Sequence, residues 1–490
     1  MRDTVPPLLS PLDMSAVDRA AAQSGIAVSA LMRRAGLAVC AAALRHFAGA
    51  SRFVVLSGPG NNGGDGWIAA AGLRDAGAEV AVFHLADPDR LTGAVAEAFR
   101  AAAMTSRPLT DYAPLPGDVV VDAVFGAGLS RAVPEVLRAV IARVDAAGVP
   151  VLAVDLPSGI DGRTGAVLGA SFQAARTVTF AARKFGHVLL PGRSACGVVE
   201  IADIGIPARI LSANASAVCE NGPPVWADAL PPAASSDHKY RRGHVAVLSG
   251  GACTTGAARL SAMASLKAGA GLVTLAGDAG ALAVHAAHVT AIMLREIAGA
   301  QDLAGWIGDR RINTFVLGPG FGDGGRLRSY AAALSDRHLV LDADGFTAFA
   351  GDPAALFSAF AEGPVRLVMT PHDGEFRRLF PDIADDPSAS KIDKAIAAAR
   401  RSHGVVVLKG ADTVIAAPDG RAVVNGNAPP FLATAGSGDV LAGIIAAHMA
   451  NGLPAFEAAA AGVWRHGAAG SAAGEGLTAD SLVDHIPPLR

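Results

Sequence analysis

The stretch Phe53-Val54-Val55-Leu56-Ser57-Gly58-Pro59-Gly60-Asn61-Asn62-Gly63-Gly64-Asp65-Gly66 is an apolar run that breaks into glycine, and a helix-like segment, Trp67–Ala76, follows it. A glycine-rich turn at the carboxyl end of a strand, opening a helix, aims backbone N–H groups and the positive end of the helix dipole at an anion such as phosphate. Glycines Gly58, Gly60, Gly63, Gly64 and Gly66 crowd one short loop. So many cost backbone entropy that a plain tight turn does not require. Gly58, Gly60 and Gly63 also satisfy G-x-G-x-x-G, which admits an ordinary dinucleotide-dependent dehydrogenase. That reading expects a ribose-binding acid at the end of the second strand, whereas Glu79 opens it, and the paired amides and Asp65 have no place in the dehydrogenase fingerprint.

Outward from this loop, Glu79–Leu85, Asp118–Phe125, Val149–Leu156 and Arg176–Ala182 read as further strands, with Pro134–Ala147 as a helix between two of them. The alternation implies right-handed βαβ units and a largely parallel sheet covered on both faces, a Rossmann-like three-layer α/β domain. Asp13–Ser24 and Ser29–Leu44 read as two preceding helices with good N-caps, and Met1–Met14 as a loose lead-in without the apolar core of a secretory signal. Proline, asparagine and serine dilute the pattern over 210–237, and a second α/β series follows. Its strands are expected at His244–Ser249, Leu272–Ala276, Thr314–Leu317, His338–Leu341, Arg366–Met369, Val405–Leu408 and Thr413–Ala416, with helices at Val440–Ala450, Ala455–Ala469 and Ala479–His485. A chain of 490 residues exceeds what one core usually supports. The expected organisation is a first domain over 1–212, a linker over 213–237 and a second domain over 238–490.

The formal net charge of −3 offers no footprint for nucleic acid or an anionic membrane. Mean hydropathy is high, +0.37, but the excess is alanine, and Asp278, His285 and His288 interrupt the apolar stretch Leu272–Leu294, so no membrane span is expected. Cys40, Cys196, Cys219 and Cys253 lie far apart with no C-x-x-C, which argues against zinc and a disulfide framework and for a reducing cytoplasm.

Polar groups recur at the other strand ends of the first half: Asp122, then Gly126-Ala127-Gly128-Leu129-Ser130-Arg131-Ala132, then Asp155-Leu156-Pro157-Ser158-Gly159-Ile160-Asp161. Ligands of open α/β sheets sit outside those ends. With Gly58–Gly66, these segments resemble the NAD(P)H-hydrate epimerase family from about Asp13 to Ile206. The resemblance implies that Asn61, Asn62, Gly63, Gly64 and Asp65, Gly126 to Ala132, and Asp155 hold the hydrated dinucleotide. It also implies that Asn62, Asp122 and Ser158 coordinate a potassium ion, an assignment their hard oxygen donors suit. The chemistry needs little beyond proton transfer, because the ring nitrogen can expel the C6 hydroxyl and water can return to either face. Asp155 is the expected proton-transfer group. Lys184 could reach a substrate phosphate, but a surface lysine is more often only solvated, and that is the expected reading.

In the second half, Thr434-Ala435-Gly436-Ser437-Gly438-Asp439-Val440-Leu441-Ala442-Gly443 sets two glycines and an acid before an apolar helix. An isolated aspartate there would be read as an N-cap. Flanking glycines point instead to an anion hole with a base at its lip. Gly318-Pro319-Gly320-Phe321-Gly322, Asp342-Ala343-Asp344, Thr370-Pro371-His372-Asp373-Gly374-Glu375 and Lys409-Gly410-Ala411-Asp412-Thr413 occupy other strand ends, and no Walker A motif is present. These motifs resemble the ribokinase-like superfamily and, within it, the ADP- or ATP-dependent NAD(P)H-hydrate dehydratases, from His238-Lys239 to Gly443. The resemblance implies that Ala257, Gly320, His372 and Asp439 face the hydrate, and that Lys409, Gly410, Ala411, Asp412, Thr413 and Gly438 hold the adenine nucleotide. It implies phosphorylation of the C6 hydroxyl by ADP or ATP with magnesium, then elimination of phosphate.

A small-molecule kinase is the rival for the second half, since the Gly-Ser-Gly-Asp device serves both outcomes. A first half reduced to a nucleotide- or partner-binding module is the other alternative. The fusion favours a bifunctional repair of NADHX and NADPHX, epimerising R and S forms and dehydrating the S form, with ADP the expected phosphoryl donor. Small molecules are the expected partners, with no nucleic acid and no membrane, in a homo-oligomer.

Overall fold

Each short run of β-branched and aliphatic residues in the first half becomes a strand whose side chains alternate between two cores. The structure, a computed structural model, describes residues 6–232 and 239–489. Its contacts divide the chain into two compact units, Pro6–Val218 and Cys219–Arg490.

The strands of the first unit are β1 (Arg52–Ser57), β2 (Val80–His84), β3 (Arg107–Pro108), β4 (Asp118–Ala123), β5 (Val151–Val154), β6 (Arg176–Phe180) and β7 (Val198–Ala202). They form one parallel sheet in the order β3-β2-β1-β4-β5-β6-β7. Phe53, Val55, Val119 and Val121 enter a core shared with the helices Val28–His46 and Asn61–Asp75. Val54, Leu56 and Val120 enter the opposite one, against the helix Glu135–Ala146. Strand order reverses between β1 and β4, so the loops leaving their carboxyl ends diverge and open a crevice there.

The second unit contains β8 (Val218–Glu220), β9 (His244–Leu248), β10 (Leu272–Gly277), β11 (Met293–Glu296), β12 (Thr314–Leu317), β13 (His338–Leu341), β14 (Leu367–Met369), β15 (Val405–Leu408), β16 (Val414–Ala416) and β17 (Ala422–Val424) in the order β11-β10-β9-β12-β13-β14-β15-β16-β17-β8. Pairing is parallel from β11 through β15 and antiparallel along β15-β16-β17. Its central helix, Ser437–Ala450, is buried almost all round, which is why its sequence lacks an amphipathic stripe. Among the described residues no helix is long and apolar enough to cross a membrane.

Several expectations need correction. The segment expected as a linker, 213–237, carries β8 and the helix Pro223–Trp226, whose Trp226 is buried in the second core; residues 233–237, and His238, lie outside the described residues. An indole can be hidden only against a formed core, and no local pattern announces that. The loose lead-in is also ordered before Met14. Leu8 and Leu9 are buried, Leu9 pairs with Lys184, and a capping box on Ser10 starts the helix Pro11–Gln23. The second helix begins after Ala27 with no side-chain cap. Strands β3, β7, β8, β11 and β17 escape the sequence pattern because they are short or lie at sheet margins, where alternation is weak.

The most consequential correction concerns Gly58–Gly66. The helix starts at Asn61, not Trp67, so Gly63, Gly64 and Gly66 are helical. Glycine lowers helix propensity by about 1 kcal/mol per residue. Here it permits contacts that no side chain could survive: a Cβ on Gly63 would lie 1.9 Å from the Gly58 carbonyl oxygen, and one on Gly66 2.5 Å from the Ala123 methyl. Gly58 likewise faces the Val124 carbonyl at 1.9 Å. The glycines therefore press the helix start onto the ends of β1 and β4.

Gly63→Ala should lower folding stability by about 2–3 kcal/mol through overpacking against backbone. Gly60→Ala, with nothing within 4 Å of its Cβ position, should cost under about 1 kcal/mol. Urea unfolding followed by circular dichroism checks the contrast, and equal losses would contradict it.

Candidate active sites

In the first unit the crevice is bounded by the start of the helix Asn61–Asp75, by the loop after β4 and by the loop after β5. Asp122, the penultimate residue of β4, is fully buried. Its carboxylate accepts from the Ser158 hydroxyl at 2.6 Å, the Ser158 N–H at 2.7 Å and the Val124 N–H at 3.3 Å. Burial nevertheless pushes it up to about 6, against those hydrogen bonds. Among the described residues it forms no ion pair with a basic side chain. Gly126 brings the other two groups together: a Cβ there would lie 2.8 Å from Asp155 Oδ2 and 3.1 Å from Asn62 Oδ1. Asn62 is itself buried, and among the described residues its Nδ2 has no hydrogen-bond partner. The crevice thus collects Asn62, Gly126, Asp155 and the Asp122–Ser158 pair, while Gly128, Ser130, Arg131 and Ala132 form an exposed rim.

Asp155 is held in place by a network that the sequence does not display. Its Oδ2 accepts from the Ala127 N–H at 2.9 Å, and its Oδ1 lies 2.8 Å from Lys184 Nζ and accepts from the Thr179 hydroxyl at 3.0 Å. Burial opposes its ionisation, yet the charge of Lys184 and its hydrogen bonds outweigh burial and hold Asp155 at about 2. Lys184 is only 2% exposed, which overturns the expectation of a solvated surface lysine. Asp65 behaves in the opposite way. Buried, and facing the negative charge of Asp155, its carboxyl is pushed well above the usual carboxylate range. Asp18, from the helix Pro11–Gln23, is raised by burial and by Asp155 against the pull of Lys184. No motif pointed to Asp18, Thr179 or His187, because only the pairing of Leu9 with Lys184 and the turn after β6 bring their segments here.

In the second unit, glycines again set the geometry. Gly436 (φ 84°) is the residue that caps the helix Ser437–Ala450, so Asp439 is its third residue and makes no capping bond. Gly443 packs against the helix Thr255–Ala268, where a Cβ would lie 2.2 Å from the Ser261 carbonyl oxygen, and the Ser261 hydroxyl donates to the Asp439 carbonyl at 2.8 Å. The buried His466 contacts the Ser437 carbonyl at 2.9 Å and its hydroxyl at 3.1 Å. Burial, then the nearby negative charges of Asp342 and Asp344, raise Asp439 to about 7, with Lys409 opposing.

Lys409 lies 3.0 Å from Asp342 Oδ1 and 3.8 Å from Glu375 Oε2. Burial disfavours its charge, but Asp342, Glu375 and Asp439 more than compensate and raise it. Gly438 approaches this pair, its Cβ position 3.4 Å from Lys409 Nζ and 3.5 Å from Asp342 Oδ2. Gly320 (φ 58°) meets Thr254 and Ala257 at the start of the helix Thr255–Ala268. The Lys409–Thr413 turn is closed by the Thr413 hydroxyl, which donates to the Gly410 carbonyl at 2.7 Å, and by Lys391, 2.7 Å from Asp412. His372 is largely spent on structure: Nδ1 accepts from the N–H groups of Gly374 and Glu375, capping the helix Asp373–Leu379, and only Nε2 is left, 3.5 Å from Glu375 Oε1. Among the described residues no three His, Cys, Asp or Glu side chains converge as a metal cage.

Comparison with known proteins matches residues 245–487 to the family described as NAD(P)H-hydrate dehydratase and residues 28–186 to the YjeF-related protein N-terminus. The bifunctional NAD(P)H-hydrate repair enzyme Nnr of Moorella thermoacetica is 37% identical over 98% of this chain and 96% of its own length. Its counterpart from Thermofilum pendens is 36% identical over 97% and 94%. Among solved structures, the ADP/ATP-dependent NAD(P)H-hydrate dehydratase of Bacillus subtilis is 24% identical, covers 53% of this chain and 93% of that one, and has a TM-score of 0.45. With two relatives matched over nearly their whole length, the chain belongs to the bifunctional NAD(P)H-hydrate repair enzymes, which join an epimerase to a dehydratase.

Proposed function

We propose that the first unit interconverts the R and S hydrates of NADH and NADPH at the crevice around Gly126, and that the second dehydrates the S form at Asp439 at the expense of ADP. One observation carries the reading. In each unit a lysine-paired carboxylate and a glycine-started helix meet at the carboxyl ends of parallel strands. A phosphate-bearing substrate and a proton to be moved call for that combination.

In the epimerase, Asn61 to Asp65, Gly126 to Ala132 and Asp155 bind the hydrate. As the C6 hydroxyl departs as water, Asp65, whose proton affinity burial raises, supplies the proton; as water returns, Asp155, held ionised, accepts one, and that proton passes back to Asp65 to reset the site. Asn62, Asp122 and Ser158 would hold potassium. Their donors are hard oxygens, and a buried carboxylate with no basic partner suits a monovalent counter-ion. When bound, the ion would neutralise Asp122 and stiffen the crevice floor.

In the dehydratase, Ala257, Gly320, His372 and Asp439 face the hydrate, while Lys409 to Thr413 and Gly438 hold the nucleotide. Asp439 accepts the proton of the C6 hydroxyl as it attacks the phosphoryl group. N–H groups at the helix start face the charge that develops on that group. Magnesium would arrive with the nucleotide, near the carboxylates of Asp342 and Glu375 beside Lys409. Four free cysteines, two of them buried, suit work in the cytoplasm. Exposed Val198 and Ile201 on edge strand β7 are apolar surface that a homo-oligomer would cover.

Mixed R and S hydrates of NADH incubated with ADP or ATP should regain their full dihydropyridine absorbance. Recovery of one epimer alone would remove the epimerase assignment, and no recovery the dehydratase. Asp439→Asn should lower dehydration by about 10³-fold and leave epimerisation intact. Because Asp439 must be ionised to accept a proton and titrates at about 7, wild-type dehydration should fall on the acid side of neutrality, tenfold for each pH unit. A rate flat through that region would argue against the role. Exchanging potassium for tetramethylammonium should lower the thermal midpoint of the wild type by a few degrees, and Asp122→Asn should abolish that response.

A further inference from the structure

Strand β5 ends in a sharp reversal: the Leu156 N–H donates to the Val154 carbonyl at 2.9 Å across Asp155, whose φ is +64°. This is a γ-turn of the strained hand, and a non-glycine residue held there costs about 1–3 kcal/mol. The neighbouring strand β6 ends the same way, with Ala181 at φ +64° and Ala182 N–H bonded to the Phe180 carbonyl at 2.7 Å. Such strain persists only where surrounding contacts over-determine the conformation.

The turn after β6 supplies those contacts. Lys184 Nζ bonds Asp155 Oδ1 at 2.8 Å, Thr179 Oγ1 at 2.9 Å and the Phe180 carbonyl at 3.0 Å, so all three ammonium protons are committed inside the protein. None remains for a substrate phosphate. His187 closes the brace from the other side. Its Nδ1 accepts from the Lys184 N–H at 2.8 Å, which fixes the hydrogen on Nε2, and Nε2 donates to the Asp155 carbonyl at 2.7 Å. Asp155 therefore has its backbone carbonyl, Oδ1 and one direction of Oδ2 all occupied. A Cβ on Gly126 would lie 2.8 Å from that Oδ2 and 3.1 Å from Asn62 Oδ1, so glycine there keeps the space beside the carboxylate clear.

We propose that Lys184 is the positioning residue of the epimerase site, acting through Asp155 with Thr179 and His187 and making no contact with substrate. The brace fixes which carboxylate oxygen the bound hydrate meets, and it keeps Asp155 in the protonation state that can accept a proton. The inference rests on the proposed proton-transfer role of Asp155. Among the described residues, the charged and titratable groups coupled to Asp155 include Lys184 and His187 from the turn after β6, Asp65 from the helix Asn61–Asp75, Asp18 from the helix Pro11–Gln23 and Cys196 ahead of β7.

The test uses the full-length protein, without nucleotide, and follows R-to-S hydrate interconversion by chromatography. Lys184→Met should lower kcat about 100-fold with KM changed less than about threefold, since a misplaced catalytic group costs rate without costing binding. It should also create an acid limb in the pH profile that the wild type lacks, because burial then acts on Asp155 without the lysine charge that opposes it. Thr179→Val removes one bond to Oδ1 without stranding a charge, and it carries the test if Lys184→Met does not fold. Its kcat should fall about tenfold at constant KM. Wild-type kcat and pH profile in Lys184→Met, wild-type kcat in Thr179→Val, or a loss that appears only in KM would each overturn the inference. Asp155→Asn separates the two levels: if it epimerises at the wild-type rate, the role of Asp155 itself fails, whereas loss there beside wild-type rates in the other two variants leaves that role standing and removes only the brace.

Discussion

A helix can deliver its first N–H groups to the end of a parallel strand only if nothing larger than hydrogen stands between them. The first unit meets that constraint with glycine; in the second unit glycine brings the helix start against a neighbouring helix, and the rest of each site follows from these close approaches. Gly58, Gly63 and Gly66 let the helix Asn61–Asp75 lie against the ends of β1 and β4; Gly436 and Gly443 do the same for the helix Ser437–Ala450 against the helix Thr255–Ala268. The close approach sacrifices helix propensity for a concave, positively polarised floor at the strand-order reversal, where an open α/β sheet receives its ligand.

On that floor the two units use the same pair of residue types to opposite ends. In the first, Lys184 sits directly on Asp155, its charge outweighs burial, and Asp155 is held at about 2. In the second, Lys409 pairs with Asp342, and Asp439, left with burial and two neighbouring carboxylates, rises to about 7. In the proposed roles, a carboxylate that only relays a proton of water is kept ready, and one that strips a proton from an alcohol gains from higher basicity. Whether the lysine meets one carboxylate or its neighbour sets the proton affinity of each.

Much of this was legible in the chain. The strands at Phe53–Ser57, Thr314–Leu317 and Val405–Leu408 were bounded closely because short apolar runs that stop at or just before a glycine admit little else. The glycine loops could be placed for the same reason, although their reading as phosphate turns missed that several glycines serve helix–strand contact. What stayed hidden was whatever lacks a local pattern: the edge strands β7 and β11, the burial of Trp226, and the participation of Asp18, Thr179 and His187.

The sequence by itself determined two parallel α/β units, their glycine-started helices, the acids Asp122 and Asp155 at strand ends and Asp439 at a helix start, because periodicity, turn chemistry and motif spacing are local properties of the chain. Only the tertiary structure decided which charges meet. Lys184 reads in the sequence as a surface lysine, and becomes the buried partner of Asp155 because β5 and β6 end side by side in matching turns. Asp439 reads in the sequence as a base rather than a cap, and its proton affinity rises because it is buried and Asp342 and Asp344, just after β13, crowd it, while Gly436 takes the capping position. Proton affinity depends on burial and on the distances between charges, and both exist only once the strands are paired.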